Sequence, residues 1–146
     1  MTARFQFLED IALADTAFQA SGDSPAELFQ AAAQATIETM VDPSTVSPVS
    51  SHPIHRDQET LEDLLFDWLE EIVYLKDAKG LVFLVPTVNV SREPSTGRWR
   101  LDGTLEGEPI DPTRHHLRSD VKAVTKHMYE IRQDGGRWLA RVVLDI

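Results

Sequence analysis

The chain opens on a short alternation of apolar and polar positions. Phe5-Gln6-Phe7-Leu8 reads as a strand, and Thr16-Ala17-Phe18-Gln19-Ala20-Ser21 reads as a second, with a polar residue returning at every other position. Between them, residues 9–15 have no clean period, and Gly22-Asp23 ends the second strand in a turn. The period then lengthens. Ser24-Pro25-Ala26-Glu27 supplies a capping hydroxyl, a proline at the first helical position and a carboxylate where a capping box needs one. Leu28, Phe29, Ala32, Ala35, Thr36 and Met40 recur near the helical repeat, which predicts a helix over 25–41 with one buried face. Asp42-Pro43-Ser44 stops it.

Residues 43–58 carry three prolines and many hydroxyls, with a short strand expected near 53–57. A second helix is expected to begin around Thr60. Leu61, Leu64, Leu65, Trp68, Leu69, Ile72 and Val73 form a regular amphipathic stripe, and Glu59, Glu62, Asp63, Asp67, Glu70 and Glu71 occupy the opposite face as a solvated surface. Beyond Lys79-Gly80 the pattern returns to strands. One is expected over 81–90, with Pro86 marking an edge or bulge, and a second over 99–107 after the turn at Glu93-Pro94-Ser95-Thr96-Gly97. Residues 111–119 are polar and irregular. A final hairpin joins 121–133 to 138–146 around Asp134-Gly135-Gly136, a loop suited to positive φ. This order predicts a single α+β domain over 1–146, built in two layers with two amphipathic helices on one face of a mostly antiparallel sheet.

Charge narrows the classes of function. Against 14 Lys plus Arg stand 24 Asp plus Glu, a formal net charge of −10. Strong direct binding to a nucleic-acid backbone needs clustered cations and is not expected. The absence of cysteine excludes disulfide scaffolds, thiolate zinc sites and thiol catalysis. No apolar run approaches the roughly 18–20 residues of a membrane span, and the N-terminus lacks the pattern of a signal peptide. The expectation is therefore a cytoplasmic protein without membrane contact. Its oligomeric state is written in no pattern.

The common phosphate-loop, dinucleotide, nucleophile-elbow and zinc-protease motifs are absent. His52 and His55 stand three apart in an extended stretch, a poor zinc pair without further ligands nearby. His115-His116 reads as an exposed loop pair. The C-terminus carries more. Leu144-Asp145-Ile146 puts an aspartate, depleted in strands, next to the carboxylate that follows Ile146, and two such charges repel unless a cation lies between them. An oxygen-only set of this kind suits Ca²⁺, Mg²⁺ or Mn²⁺, and either Asp10 or Asp15 is a candidate third carboxylate. In 120–127, alternation points Val121, Ala123 and Thr125 one way and Lys122, Val124 and Lys126 the other. Lys122 is then either an ordinary exposed lysine or a point charge for a phosphorylated ligand.

Several of these segments, in register along nearly the whole chain, resemble the archease family. They are Ala14-Asp15 with Gly22 seven residues on, the Leu28-Phe29-x-x-Ala32-x-x-Ala35 and Leu64-Leu65-x-x-Trp68-Leu69 helices, and Gly107-Glu108. Val121-Lys122-Ala123-Val124-Thr125 with His127 and the terminal Leu144-Asp145-Ile146 complete the set. The resemblance implies a two-layer α+β fold. It further implies a protein cofactor, not itself an enzyme, for the GTP-dependent RNA ligase that joins 2′,3′-cyclic-phosphate and 5′-hydroxyl ends in tRNA splicing and RNA repair. Such a cofactor promotes guanylylation of the ligase's histidine and supports multiple turnover. The implied divalent-metal site, for calcium or a similar ion, consists of Asp15, Asp145 and Ile146, and the functional lysine falls on Lys122. One departure stands out. Most members precede the motif aspartate with His-Thr-Ala, whereas here Ile11-Ala12-Leu13-Ala14 leads into Asp15, and Asp10 remains a rival. Lys126 also replaces a more usual aromatic residue. Two other readings of the same residues are a metal-dependent phosphoester hydrolase, which would turn over without a partner, and a non-catalytic interaction module docking through helix 60–75.

Overall fold

The computed structural model describes residues 3–8 and 15–146. Asp10 and the 11–14 stretch of the front motif lie outside the described residues. In chain order the elements are β1 (Arg4–Leu8), β2 (Asp15–Gly22), α1 (Pro25–Met40), β3 (Ser50–Gln58), α2 (Leu61–Lys79), β4 (Leu81–Phe83), β5 (Thr87–Arg92), β6 (Trp99–Pro109), β7 (Ala123–Asp134) and β8 (Arg137–Asp145). A 3-10 turn occupies Pro43–Thr45. The strands form two antiparallel sheet parts with no ladder between them among the described residues, one ordered β1-β2-β8-β7 and the other built on β6, with β3 along one side and β4 and β5 along the other. Both helices pack against strands of both parts, giving the expected two-layer α+β architecture.

α1 starts as its sequence dictates. Ser24 Oγ accepts from the Glu27 amide at 3.2 Å, and Glu27 Oε1 accepts from the Asp23 amide at 3.0 Å, so the reciprocal bond lands one residue earlier than in the usual box. Burial extends beyond the expected face, to Ala31, Ala33, Ile37 and Thr39. The reason is position: α1 lies against β1, β2 and β8 of one sheet part, β4 and β5 of the other, and α2. Its alanines allow that close approach, and beyond Ala26 only the narrow stripe of Glu27, Gln30, Gln34 and Glu38 stays outside the core.

α2 is capped by Thr60, whose hydroxyl accepts from Asp63 N at 3.1 Å, and it ends at Gly80, left-handed at φ 63°. Its stripe is buried as the spacing requires. Trp68 lies at the centre, fully buried, with Nε1–H donating to the Phe29 carbonyl at 3.2 Å and tying α2 to α1. The acidic face is less purely solvated than its composition implies, because Asp67 accepts from Gln58 and Glu71 pairs with Arg56.

Pro86 does more than mark an edge. The expected strand over 81–90 separates into β4 and β5, because the interruption at residues 84–86 lets each pair with a different part of β6. The strand expected near 53–57 is longer, covering the whole of β3. At Gly107 the β4 backbone approaches so closely that a Cβ would sit 1.9 Å from the Val82 carbonyl oxygen. The last hairpin turns at Gly135 and Gly136, both at positive φ, as a two-residue primed turn requires.

β7 departs from simple alternation in two places. It begins at Ala123, so Val121 and Lys122 belong to the preceding irregular segment; Val121 and Val124 are both buried while Ala123 is exposed. A register shift between Thr125 and Glu130 then puts Met128 at φ 55°. This bulge turns Lys126 over the Phe66 ring, 4.7 Å from its centroid, and brings the Tyr129 hydroxyl to the Glu62 carbonyl at 2.6 Å. Among the described residues no helix is long and apolar enough to cross a membrane.

Candidate functional site

The β2–β8 ladder is set by its inward pairs, Phe18 opposite Val142 and Ala20 opposite Ala140, all buried. A slip of one residue would turn these side chains out of the core, so the register is strongly specified. That register carries through to the sheet end, where Asp15, the first residue of β2, stands directly opposite Asp145, the last of β8. On the other side of Asp145 lies Ala123 of β7, and the Lys122 amide donates to the Asp145 carbonyl at 2.7 Å. The structure thus brings Asp15, Asp145 and Lys122 to one place. Ile146 follows, half-buried against the core.

Directly opposed residues of an antiparallel pair hold their Cβ atoms about 4.5–5.5 Å apart. Asp15 and Asp145 are both half-buried, and among the described residues neither side chain has a hydrogen-bond or ion-pair partner. Among the described residues two like charges therefore face each other with no bonded partner, an arrangement that an oxygen-seeking divalent cation relieves. The donor chemistry fits such an ion, with two side-chain carboxylates available. Among the described residues no third acidic or histidine side chain joins them, so a further oxygen has to come from elsewhere. Beside the pair opens a groove of about 480 Å³ lined by Phe7, Asp15, Ala17, Glu38, Thr39 and Arg118.

Lys122 is delivered by the irregular stretch from 110 to 122, a strap fastened at successive points. At its start lies Glu108, 3% exposed, whose carboxylate accepts from the Arg114 guanidinium, from His115 Nε2 at 2.9 Å and from the Ser47 amide at 2.6 Å. Arg114 above all, then His115 and the Ser47 amide, hold this carboxyl well below the usual carboxylate range. His115 is not an exposed loop residue, as its neighbourhood implied, but 5% exposed. Its Nδ1 accepts from the Asp111 amide at 2.9 Å, so its proton resides on Nε2 and points to Glu108. Further along, the His116 carbonyl accepts from the Asp42 amide, and the amides of Arg118 and Ser119 donate to the carbonyls of Met40 and Thr39 at the end of α1. Lys76 takes over from there, with its ammonium bonded to Asp120 and to the Val121 carbonyl.

Neither Lys76 nor the Glu108 cluster entered the reading of the sequence as functional. Lys76 had a visible signal: it falls on the buried stripe of α2, four residues after Ile72, where a lysine is out of place. Glu108 entered only within the Gly107-Glu108 segment, and its outward parity with Asp102 and Glu106 gave no sign that the strap and Ser47 would bury it. The histidine pair resolves into separate contacts. His52 meets Ser50 Oγ at 3.0 Å and the edge of Phe83, while His55 Nδ1 meets Asp102 at 2.6 Å, and they share no ligand site.

The Archease protein family model matches residues 5–146. Protein archease of Methanopyrus kandleri is 35% identical over 133 residues, 91% of this chain and 94% of that protein. Protein archease of Pyrococcus furiosus is 37% identical over 134 residues, 91% and 93% of the two chains. Among solved structures, the solution structure of Methanobacterium thermoautotrophicum protein 1598 superposes with a TM-score of 0.80 at 35% identity, covering 97% of this chain and 98% of that one. A crystal structure of a Thermotoga maritima archease, described as a possible chaperone, superposes at 0.58 with 22% identity over 92% and 93% of the two chains, a likeness of fold.

Proposed function

As the chain belongs to the archease family, we propose that it is a protein cofactor of the GTP-dependent RNA ligase that joins 2′,3′-cyclic-phosphate and 5′-hydroxyl ends. In this reading it works in tRNA splicing or RNA repair, and Asp15, Asp145 and the carboxylate at Ile146 hold a divalent cation. The observation that carries the site is the register setting Asp15 opposite Asp145 with no partner for either carboxylate among the described residues. When bound there, a divalent ion supplies positive charge toward phosphate oxygens. The chain's own residues do the rest. Asp15 and Asp145 present the donors from two paired strands, which costs little reorganisation because the ladder already fixes them. Lys122, exposed and one residue ahead of β7, offers a compact charge to a nucleotide phosphate at the same sheet end. Together they favour guanylylation of the ligase histidine, in which a ring nitrogen bonds to the α-phosphorus of GTP and pyrophosphate leaves. Positioning and charge neutralisation are the main terms in such transfer. The net charge of −10 favours RNA contact through the ligase over contact through this chain.

The test is RNA ligation at limiting ligase with GTP and Mn²⁺, with and without this protein. The expected result is conversion from about one turnover per ligase to many, a gain abolished in Asp15→Ala, Asp145→Ala and Lys122→Ala proteins that remain folded. No gain with an active ligase overturns the cofactor role, and full gain in all three variants overturns the site. Turnover of phosphate esters without any ligase would move the carboxylates to a hydrolytic role.

A further inference from the structure

Lys76 has a costly position for a cation. It lies on the apolar stripe of α2 at 8% exposure, whereas Lys79, one turn further on, is exposed. A charge is retained in such a place only when its hydrogen-bonding capacity is met. The three ammonium protons of Lys76 have three acceptors: Asp77 Oδ1 at 2.6 Å, Asp120 Oδ1 at 2.5 Å and the Val121 carbonyl at 2.7 Å. One acceptor is on its own helix and two are on the strap. The strap needs them there, because its ties to the end of α1 stop at Ser119. The next backbone bond after Val121 is the one from the Lys122 amide to Asp145.

We propose that Lys76 is a positioning residue for the sheet-end site, its buried ammonium fixing the backbone at Asp120 and Val121 and thereby holding Lys122 against Asp145. This rests on the reading of that sheet end as a cation and phosphate site. The connection is short and continuous, from α2 through two strap residues to the amide that bonds the carbonyl of a candidate ligand residue. Burial opposes the charge on Lys76, but its bonds to Asp120 and Asp77 prevail and keep it protonated. Arginine is no substitute, since a planar guanidinium cannot direct three donors around one point.

The experiment compares wild type with Lys76→Met, which keeps an unbranched stem in the stripe, and with Asp120→Asn, which alters only an exposed acceptor. Native-state amide exchange of Lys122 is expected to quicken 10-fold or more in Lys76→Met and less in Asp120→Asn, while the Val142 amide in the β2–β8 core keeps its rate. Calcium titration by calorimetry is expected to show binding weakened about 10–100-fold in Lys76→Met, the usual effect of losing a group that supports a metal ligand. Unchanged exchange at Lys122, or acceleration equal at Lys122 and Val142, overturns the proposal, because the lysine would then be inert or only a general stabiliser. If Lys76→Met does not fold, Asp120→Asn decides by the same two amides. Failure of the site reading is separable. It appears as calcium binding undiminished in Asp145→Ala, whereas exchange at Lys122 tests the clamp in metal-free protein.

Discussion

Two carboxylates opposed across a β ladder, with no bonded partner among the described residues, make a prediction whose sign reverses with cation. Asp15 and Asp145 are opposed residues, with Cβ atoms about 5 Å apart by the geometry of such pairs, which sets the scale of their charge separation. At that distance two unit charges repel by about 0.8 kcal/mol in bulk water and about 3 kcal/mol at an effective dielectric of 20. Both residues are half-buried, with water on one side, so the lower part of that range applies. Asp145→Asn keeps the shape and removes the repulsion. In chelator it should stabilise the protein by about 1 kcal/mol, a rise of about 3 °C in Tm for a domain of this size. Asp15→Asn should do the same, and the double variant should gain no more than either single one, giving a coupling of about 1 kcal/mol. Calcium inverts the order. At a free concentration 100 times its Kd the wild type gains about 2.7 kcal/mol, and Asp145→Asn, with one of its two carboxylates replaced by a neutral amide, gains much less. Thermal unfolding of the four proteins in chelator and in millimolar CaCl₂ measures all of this, and 1 M NaCl should shrink the chelator difference by screening. If Asp145→Asn melts at or below wild type in chelator and the two single effects simply add, the carboxylates do not confront each other and the electrostatic case for the site fails.

Two predictions concern the structure that supports the site. Glu108 is held ionised below its ordinary range by Arg114, His115 and Ser47, so its stabilisation is complete above about pH 4.3, the unfolded value, and is lost as pH falls toward the folded one. Glu108→Gln should therefore lower Tm most near neutrality, with the gap to wild type closing below about pH 4; parallel Tm curves from pH 7 to pH 2 would refute this. Gly107→Ala should be far more damaging than Gly103→Ala, since the new methyl meets the Val82 carbonyl at 1.9 Å in one case and the edge of the Trp68 ring at 2.9 Å in the other. The Trp68 ring can shift at a cost of about 1–3 kcal/mol, and the β4 backbone cannot without releasing β4; denaturant unfolding showing the reverse order would contradict the packing.

What could be read from the sequence is what repeats. The α2 stripe from Leu61 to Val73 and the alternation around Phe18 and Val142 are periodic, and periodicity reports the direction of the core. Asp15 and Asp145 could be singled out because one ends a β-branched strand and the other belongs to a recognisable motif, but their pairing is a matter of register, which only the folded ladder displays. Of the strap, residues 111–119 were legible only as irregular and 121–122 as the start of the next strand, since a segment held by single bonds to two helix ends and a buried glutamate has no period at all. Hence His115 was misplaced, and the alternation imposed on 121–127 put Val121 and Val124 on opposite faces although both are buried. Lys76 lies between these cases. Its position was predicted by the stripe and its identity contradicts the stripe, and such a conflict between local pattern and residue type marks a place where the fold retains a cost. Here the conflict falls on the residue that hands the strap over to Lys122 and Asp145, joining the most regular element of the chain to its least regular one at the candidate site.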